Sequence, residues 1–413
     1  MTVTANEVAL IDCCRGDVSG VTADNWRAIL EMAAVHEVDP LVVHHLRGRR
    51  GNEAAPVSQL PEGTKEVVER QHTVDVIQYG LLIAELQTVL AAMGDTPALV
   101  LKGPSLALRY YAPGARLSRD IDLLIRPDDY DRARAALTTL GYAVMADYDE
   151  EIQRRYGKDV AFTRIDSSNK TWSVELHWRL TEPGAPELDI LDVWRRARLV
   201  NVGDRQFQTT SPEHTLLLLA LNLRKQRFAR LKTVCDIAHL IAVDGAELDW
   251  SLLHEDAHRA GICALLRHSL RLTKLLMGVS GPDLAHCSRR RGVTTRLLRR
   301  LATLDAVLRE GRQNDRSDAI SGLIPFFSLD NLFTSLHLVY GRLVLSPELA
   351  SYHRSGLTDT YRSRRQYWQD TARRLIRAVQ AMSTQADDPT TAAPSASSPV
   401  QGRDERESRR GVA

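Results

Sequence analysis

The segment Asp120-Ile121-Asp122-Leu123-Leu124-Ile125 constrains this chain more than any other. It is a short apolar run closed by Pro127, the pattern of a buried strand, and it carries two carboxylates two positions apart. Alternate side chains of a strand share a face, so Asp120 and Asp122 point one way while Ile121 and Leu123 point into a core. A carboxylate inside an apolar strand is expensive unless a cation accompanies it. The strand therefore predicts a cation site on one face of a sheet. An Asp-x-Asp alone is common by chance, so the reading depends on what surrounds it.

Residues 98–101 form a second short apolar run, broken by Gly103, and Pro104 is suited to the first position of a helix that stops before Pro113-Gly114. A further isolated acid, Glu175, sits in Ser173-Val174-Glu175-Leu176-His177, where Val174 and Leu176 alternate with it. Magnesium or manganese takes hard oxygen ligands, and a two-metal site about 3.5–4 Å across needs a third carboxylate beside a pair such as Asp120 and Asp122. Glu175 is placed to supply it. The helix start after Gly103 offers free N–H groups to a phosphate, with the Ser105 hydroxyl as a further contact. Lys102 could serve as a point charge on the same phosphate or as an ion-pair partner. Arg116 and Arg119 flank the acids, and each could neutralise a triphosphate or pair with Asp120 and Asp122. The triphosphate role is favoured for Arg116.

The rest of the chain sets the fold class. Helical periodicity runs through residues 24–47, interrupted at Pro40, and through 64–93, where Gly94 follows as a cap. Residues 128–140 read as an amphipathic helix. Residues 142–146, 160–165 and 171–180 read as strands, the last two joined as a hairpin by Ser167-Ser168-Asn169. From Ser211-Pro212 to about residue 382 the pattern is helical, with leucines at helical spacing. The prediction is an α+β protein: a mixed sheet of about four or five strands, with helices before and after it. The expected division is an N-terminal helical region 1–94, a catalytic core 95–182, a larger C-terminal helical domain 183–382 and a disordered tail 383–413. The tail lacks the large apolar groups that would offset its chain entropy.

On these residues the chain resembles the polymerase β-like nucleotidyltransferase superfamily. Its pattern is a strand, a glycine turn, a helix, an Asp-x-Asp/Glu strand and a later strand acid. Here these are Leu101-Lys102-Gly103-Pro104, Asp120-Ile121-Asp122 and Glu175. Within the superfamily it is most similar to the uncharacterised bacterial nucleotidyltransferases, through LKGPSLALRYY, ARLSRDIDLLI and VELHWRL. The likeness continues through SPEHTLLLLALNL, RLKTVCDIAHLI and DWSLLHEDAHRAG and takes in Trp26 and His36, from about residue 20 to 380. The resemblance implies a nucleoside triphosphate donor, metal ions held by Asp120, Asp122 and Glu175, and help from Glu175 in deprotonating an acceptor hydroxyl. The acceptor could be a small molecule, a peptide, a protein or a tRNA end. A tRNA-modifying, toxin-like transferase and a non-catalytic nucleotide-binding regulator are the alternatives. Pro104 stands where the superfamily often has serine, which puts the usual serine–phosphate contact in question.

Other features bound the function. Net charge is +2, so no global pull toward nucleic acid or acidic membranes exists. Two local basic clusters do exist, Arg224, Lys225, Arg227, Arg230 and Lys232, and Arg289, Arg290, Arg291, Arg296, Arg299 and Arg300. Solvated helix faces are the usual explanation and RNA or triphosphate contact the sharper one, with Arg230 the best single candidate. Five cysteines without a CxxC, and no evident signal peptide, predict a cytoplasmic protein with free, mostly buried thiols. The apolar stretch 322–345 contains Asp330, Asn331, His337 and Arg342, and reads as buried helix rather than a membrane span. His254-Glu255-Asp256-Ala257-His258 matches the zinc-protease HExxH pattern, but the charges around it favour an ordinary helix with Leu253 and Ala257 buried. His177, beside the third acid, reads as a packed or hydrogen-bonded strand residue rather than a ligand.

Overall fold

The computed structural model describes residues 3–48, 62–145, 150–182, 185–202 and 205–279, with 329–330 and 373. The expected helix at 322–345, the tail, Cys287 and the second arginine cluster lie outside these residues, apart from Leu329 and Asp330.

The chain opens with three helices, α1 (Ala5–Arg15), α2 (Trp26–Val35) and α3 (Asp39–Arg47). α1 begins at a reciprocal cap in which the Thr4 hydroxyl accepts from the Glu7 N–H and the Glu7 carboxylate accepts from the Thr4 N–H. The long α4 (Glu62–Met93) follows. It is long and apolar enough to cross a membrane. Yet Leu82, Leu86, Val89 and Met93 of its last three turns lie in the sheet's core, and it carries the buried acids Asp75 and Glu85. Glu85 is held by Tyr142 and Arg164 at 2.7 Å each.

The middle of the chain supplies β1 (Leu99–Val100), α5 (Pro104–Tyr110), β2 (Asp120–Leu124), α6 (Tyr130–Thr139), β3 (Ala143–Val144), α7 (Glu150–Tyr156), β4 (Asp159–Ile165) and β5 (Thr171–His177). Next come α8 (Ile190–Arg195), β6 (Arg198–Val202) and β7 (Arg205–Thr209). The helices α9 (Pro212–Lys225), α10 (Leu231–Asp244), α11 (Trp250–Arg259) and α12 (Cys263–Met277) complete the described part. The seven strands form one mixed sheet in the order β3-β4-β5-β2-β1-β7-β6. β2 runs parallel to β5 and antiparallel to β1, and β1 runs parallel to β7.

The fold is α+β as expected, but the sheet is wider than four or five strands. The β6–β7 hairpin was not anticipated: β6 sets the apolar Leu199 and Val200 side by side, and β7 alternates but buries only Phe207 and Thr209, of which one is a large apolar residue. Leu199 is 63% exposed, between the exposed Arg198 and the half-buried Val200.

The two faces of the sheet have different partners. Ile121, Leu123, Val174, Leu176, Val160 and Phe162 share one core with α4 and α6. On the opposite side Leu99, Leu101, Leu124 and Leu106 join a second core shared by α1–α3 and α9–α12. The helices before and after the sheet are therefore packed together, and Arg15 Nε donates to the Leu276 carbonyl at 2.7 Å.

Candidate active site

Strand parity and register assemble the acids. β2 and β5 pair so that Asp120 faces Ser173, Asp122 faces Glu175 and Leu124 faces His177. β4 adds Ala161 opposite Glu175 and Asp159 opposite His177. Since alternate residues share a face, Asp120, Asp122, Glu175, His177 and Asp159 all project from the side opposite the Ile121–Leu123 core.

The tightest group is Asp122, Glu175 and His177, whose ligand-type atoms lie within 4.8 Å of one another. His177 Nε2 is 3.0 Å from Asp122 Oδ1 and 3.2 Å from Glu175 Oε2. Its other ring nitrogen is 3.4 Å from Asp159 Oδ2, and Asp159 pairs with Lys158. Lys102 Nζ lies 3.1 Å from Asp122 Oδ1. Asp120 stands one strand step away, with the Ser118 hydroxyl donating to its Oδ1 at 2.8 Å.

The electrostatics follow from this crowding. Burial alone would raise the Asp122 pKa, but the Lys102 ammonium and the His177 imidazole beside it outweigh this, so the group sits well below the usual carboxylate range. Burial pulls the Lys102 ammonium down, and Asp122, Asp120 and Glu175 more than reverse this, leaving it above an ordinary lysine. For Lys158 burial dominates; with Lys225 alongside, it outweighs the opposing pull of Glu182, Glu175 and Asp122, and the ammonium titrates low.

One atom stands out. Asp122 is fully buried, and its Oδ2 has no hydrogen-bond partner. An unsatisfied buried carboxylate oxygen is costly. A divalent cation would satisfy it, and two carboxylates with an imidazole are chemically fit to hold one.

The glycine turn lies against this group. Gly103 has φ +63°, and a Cβ there would meet Ser118 Oγ at 2.7 Å and the Asp120 carbonyl oxygen at 3.0 Å. Glycine is required because the strand carrying the acids passes directly over it.

The other predicted contacts are placed differently. Arg116, favoured from sequence for a triphosphate, is buried in a two-pronged pair with Asp236 of α10, at 2.6 and 3.0 Å. Its third nitrogen donates to the Gly103 carbonyl at 2.9 Å. It braces the turn rather than reaching into the cleft. The Ser105 hydroxyl is likewise buried, bonded at 2.7 Å to Thr209 of β7. Arg230 lies against the end of α2, bonded to the Val35 carbonyl and 3.5 Å from Glu37.

Sequence reasoning passed over Ser118, Lys158 and Asp159 and discounted His177. The signal for His177 was present, since it shares the parity of Glu175 two positions earlier. Asp159 is visible only once the register of β4 against β5 is known.

Elsewhere, His254 and His258 of the HExxH segment have ring centroids 6.5 Å apart, and His254 Nδ1 is 3.8 Å from Cys263 Sγ. Asp256 within the segment is buried. Four of the five cysteines, Cys13, Cys14, Cys235 and Cys263, are free and buried.

Comparison with curated proteins returned no match. The profile of a family described as "Uncharacterised nucleotidyltransferase" matches residues 22–278, more than half of the chain. That span includes the glycine turn, the sheet and every described helix from α2 to α12, so the chain belongs to the uncharacterised nucleotidyltransferase family.

Proposed function

We propose that this chain transfers a nucleoside monophosphate from a nucleoside triphosphate onto a hydroxyl-bearing acceptor, with release of pyrophosphate, and that Asp120, Asp122 and Glu175 carry the reaction. The observation that supports it best is the in-register pairing of Asp122 with Glu175 on parallel strands, together with a fully buried Asp122 oxygen that has no hydrogen-bond partner. Magnesium or manganese held there would supply positive charge to the phosphate oxygens and lower the pKa of the attacking hydroxyl.

The chain's own residues have narrower tasks. Asp122 is fixed in its ionised form by its surroundings and serves as the central anion for the cation. Glu175 is the more exposed of the pair, with 26% of its side chain open, and is the carboxylate placed to take the acceptor's proton. Ser118 fixes the rotamer of Asp120. Gly103, buttressed by Arg116, brings backbone close to the acids, where no side chain blocks a phosphate. Lys102, 42% exposed, can exchange its contact with Asp122 for one with a triphosphate oxygen.

The test is incubation of the purified full-length chain with each labelled nucleoside triphosphate, magnesium or manganese, and fractionated cell extract. Label should appear in one fraction, which names the acceptor as small molecule, peptide, protein or RNA, and it should vanish with Glu175→Gln. Label transfer that survives both Glu175→Gln and chelation would defeat the proposal.

A further inference from the structure

The geometry points to His177 as a metal ligand, making the site a two-carboxylate, one-imidazole set formed with Asp122 and Glu175 and selective for manganese over magnesium. This rests on the metal-dependent reading above and goes beyond it. Neither the Asp-x-Asp pattern nor the later glutamate implies a nitrogen donor.

Three observations carry it. The first is spacing. In an octahedral shell with bonds of about 2.1 Å, adjacent donor atoms lie roughly 3.0 Å apart. His177 Nε2 is 3.0 Å from Asp122 Oδ1 and 3.2 Å from Glu175 Oε2, the separations expected of neighbouring ligands on one ion. The second is orientation. A metal-bound imidazole ordinarily gives its other N–H to a carboxylate, which fixes the ring and raises its basicity. Asp159 Oδ2 is the carboxylate beside that nitrogen, 3.4 Å away and short of a formed hydrogen bond, since the buried His177 Nδ1 has no partner; the β4–β5 register delivers it and Lys158 holds it. His177 is only 4% exposed, so the ring has little freedom to leave. The third is the open valence at Asp122 Oδ2, which is fully buried and without a hydrogen-bond partner.

Oxygen-only sites suit magnesium, which holds its waters and prefers hard donors. An imidazole nitrogen is a borderline donor that a transition-metal ion accepts more readily. Lys102, which contacts Asp122 from the solvent side, is the resident cation that an incoming ion would displace.

The experiment is manganese titration of the full-length chain without nucleotide, followed by electron paramagnetic resonance. Pulsed spectra read ¹⁴N coupling directly, and magnesium competition reads selectivity. The expected result is a bound manganese ion with ¹⁴N coupling and an affinity at least ~10-fold above that for magnesium. His177→Ala should abolish the coupling and collapse the preference. Asp159→Asn should keep the coupling and weaken binding by about tenfold. Manganese bound without ¹⁴N coupling would reduce His177 to a hydrogen-bond donor and overturn this inference while leaving the transferase reading intact. No manganese bound at all would overturn this inference too, and the transferase reading would then be judged by the labelling experiment, because ions held partly by substrate phosphates enter with the nucleotide. The coupling in the unsubstituted protein decides the matter even if His177→Ala does not fold.

Discussion

Two clusters among the described residues are built from the same parts, two carboxylates and a histidine. One is Asp122, Glu175 and His177 on the sheet; the other is Asp192, Asp256 and His214, where α8, α9 and α11 meet. They differ in where the countercharge comes from. In the helical cluster Arg196 reaches into the middle and contacts both carboxylates, and its guanidinium lies 2.5 Å from His214 Nε2. Burial, followed by the arginine's charge, pushes the His214 pKa down to about 4, so the ring stays neutral and can accept that hydrogen bond. On the sheet the cations sit at the rim: Lys102 touches only one oxygen of Asp122 and is partly exposed. A cluster that contains its own cation is a structural joint. One that leaves a buried oxygen unpartnered has room for a cation from outside.

The largest expected effect comes from removing the anion at the centre of the sheet cluster. Asp122→Asn should lower nucleotidyl transfer on the order of 10³-fold or more, read with labelled triphosphate under saturating metal. Near-normal transfer would mean that the open oxygen has no chemical use, and the contrast between the clusters would be lost.

Removing the internal cation should act on stability instead. Arg196→Met should lower unfolding free energy by about 1.5–3 kcal/mol in urea titrations, because Asp192 and Asp256 lose the cation they share and keep only the exposed Arg195 and Arg259. Transfer activity per folded molecule should hold. A sharper version adds divalent metal to this variant. A melting temperature that rises with metal in Arg196→Met, but not in the parent, would show that the arginine alone keeps the helical cluster from being an ion site.

Asp75 of α4 is an intermediate case: it is 1% exposed, its Oδ2 has no partner, and Gln71 donates to its other oxygen at 2.9 Å. Burial raises its pKa from 3.8 to about 6. The sign is that of an acid harder to ionise when folded. There is no penalty below the unfolded value, the penalty grows between pH 4 and 6, and it is complete above that. Asp75→Asn should therefore stabilise the protein by about 2–3 kcal/mol at pH 7.5 and by almost nothing at pH 4. An equal gain at both pH values would point to packing rather than charge.

The smallest effect belongs to the motif that looks most like a metal site in the sequence. His258 is exposed, and His258→Ala should shift stability by no more than about 0.5 kcal/mol and leave the metal content of the purified protein unchanged.

Period and parity explain which parts of the molecule can be read from the sequence. The Asp-x-Asp strand, the strand carrying Glu175, the glycine turn and helices such as α4, α6 and α10 all announce themselves by local alternation or helical spacing. The β6–β7 hairpin does not, because its buried face carries a threonine beside Phe207 and its edge strand exposes Leu199, so residue type does not follow the burial. Arg116, Ser105 and Arg230 show a different limit. Their residue types suit a phosphate, but what each one touches is decided by Asp236, Thr209 and Val35, all more than a hundred positions away. Nothing in a window around Arg116 could reveal that its carboxylate partner lies on α10. His177 is an intermediate case: its parity was legible, and its closeness to Asp122 required the β2–β5 register.

The bond from Arg116 to Asp236 and to the Gly103 carbonyl has a consequence for how such proteins can change over time. The turn beside the acids is anchored to a helix that begins more than a hundred residues later, so the segment bearing the acids is not a cassette. Grafting residues 95–182 onto a different helical partner would bring a buried guanidinium without its acid, and the graft would have to recreate a carboxylate in the position of Asp236 before the turn could hold its shape. Descendants of this chain can diversify at the exposed edge of the site, around Lys102 and Glu175, but positions 116 and 236 must change together or not at all.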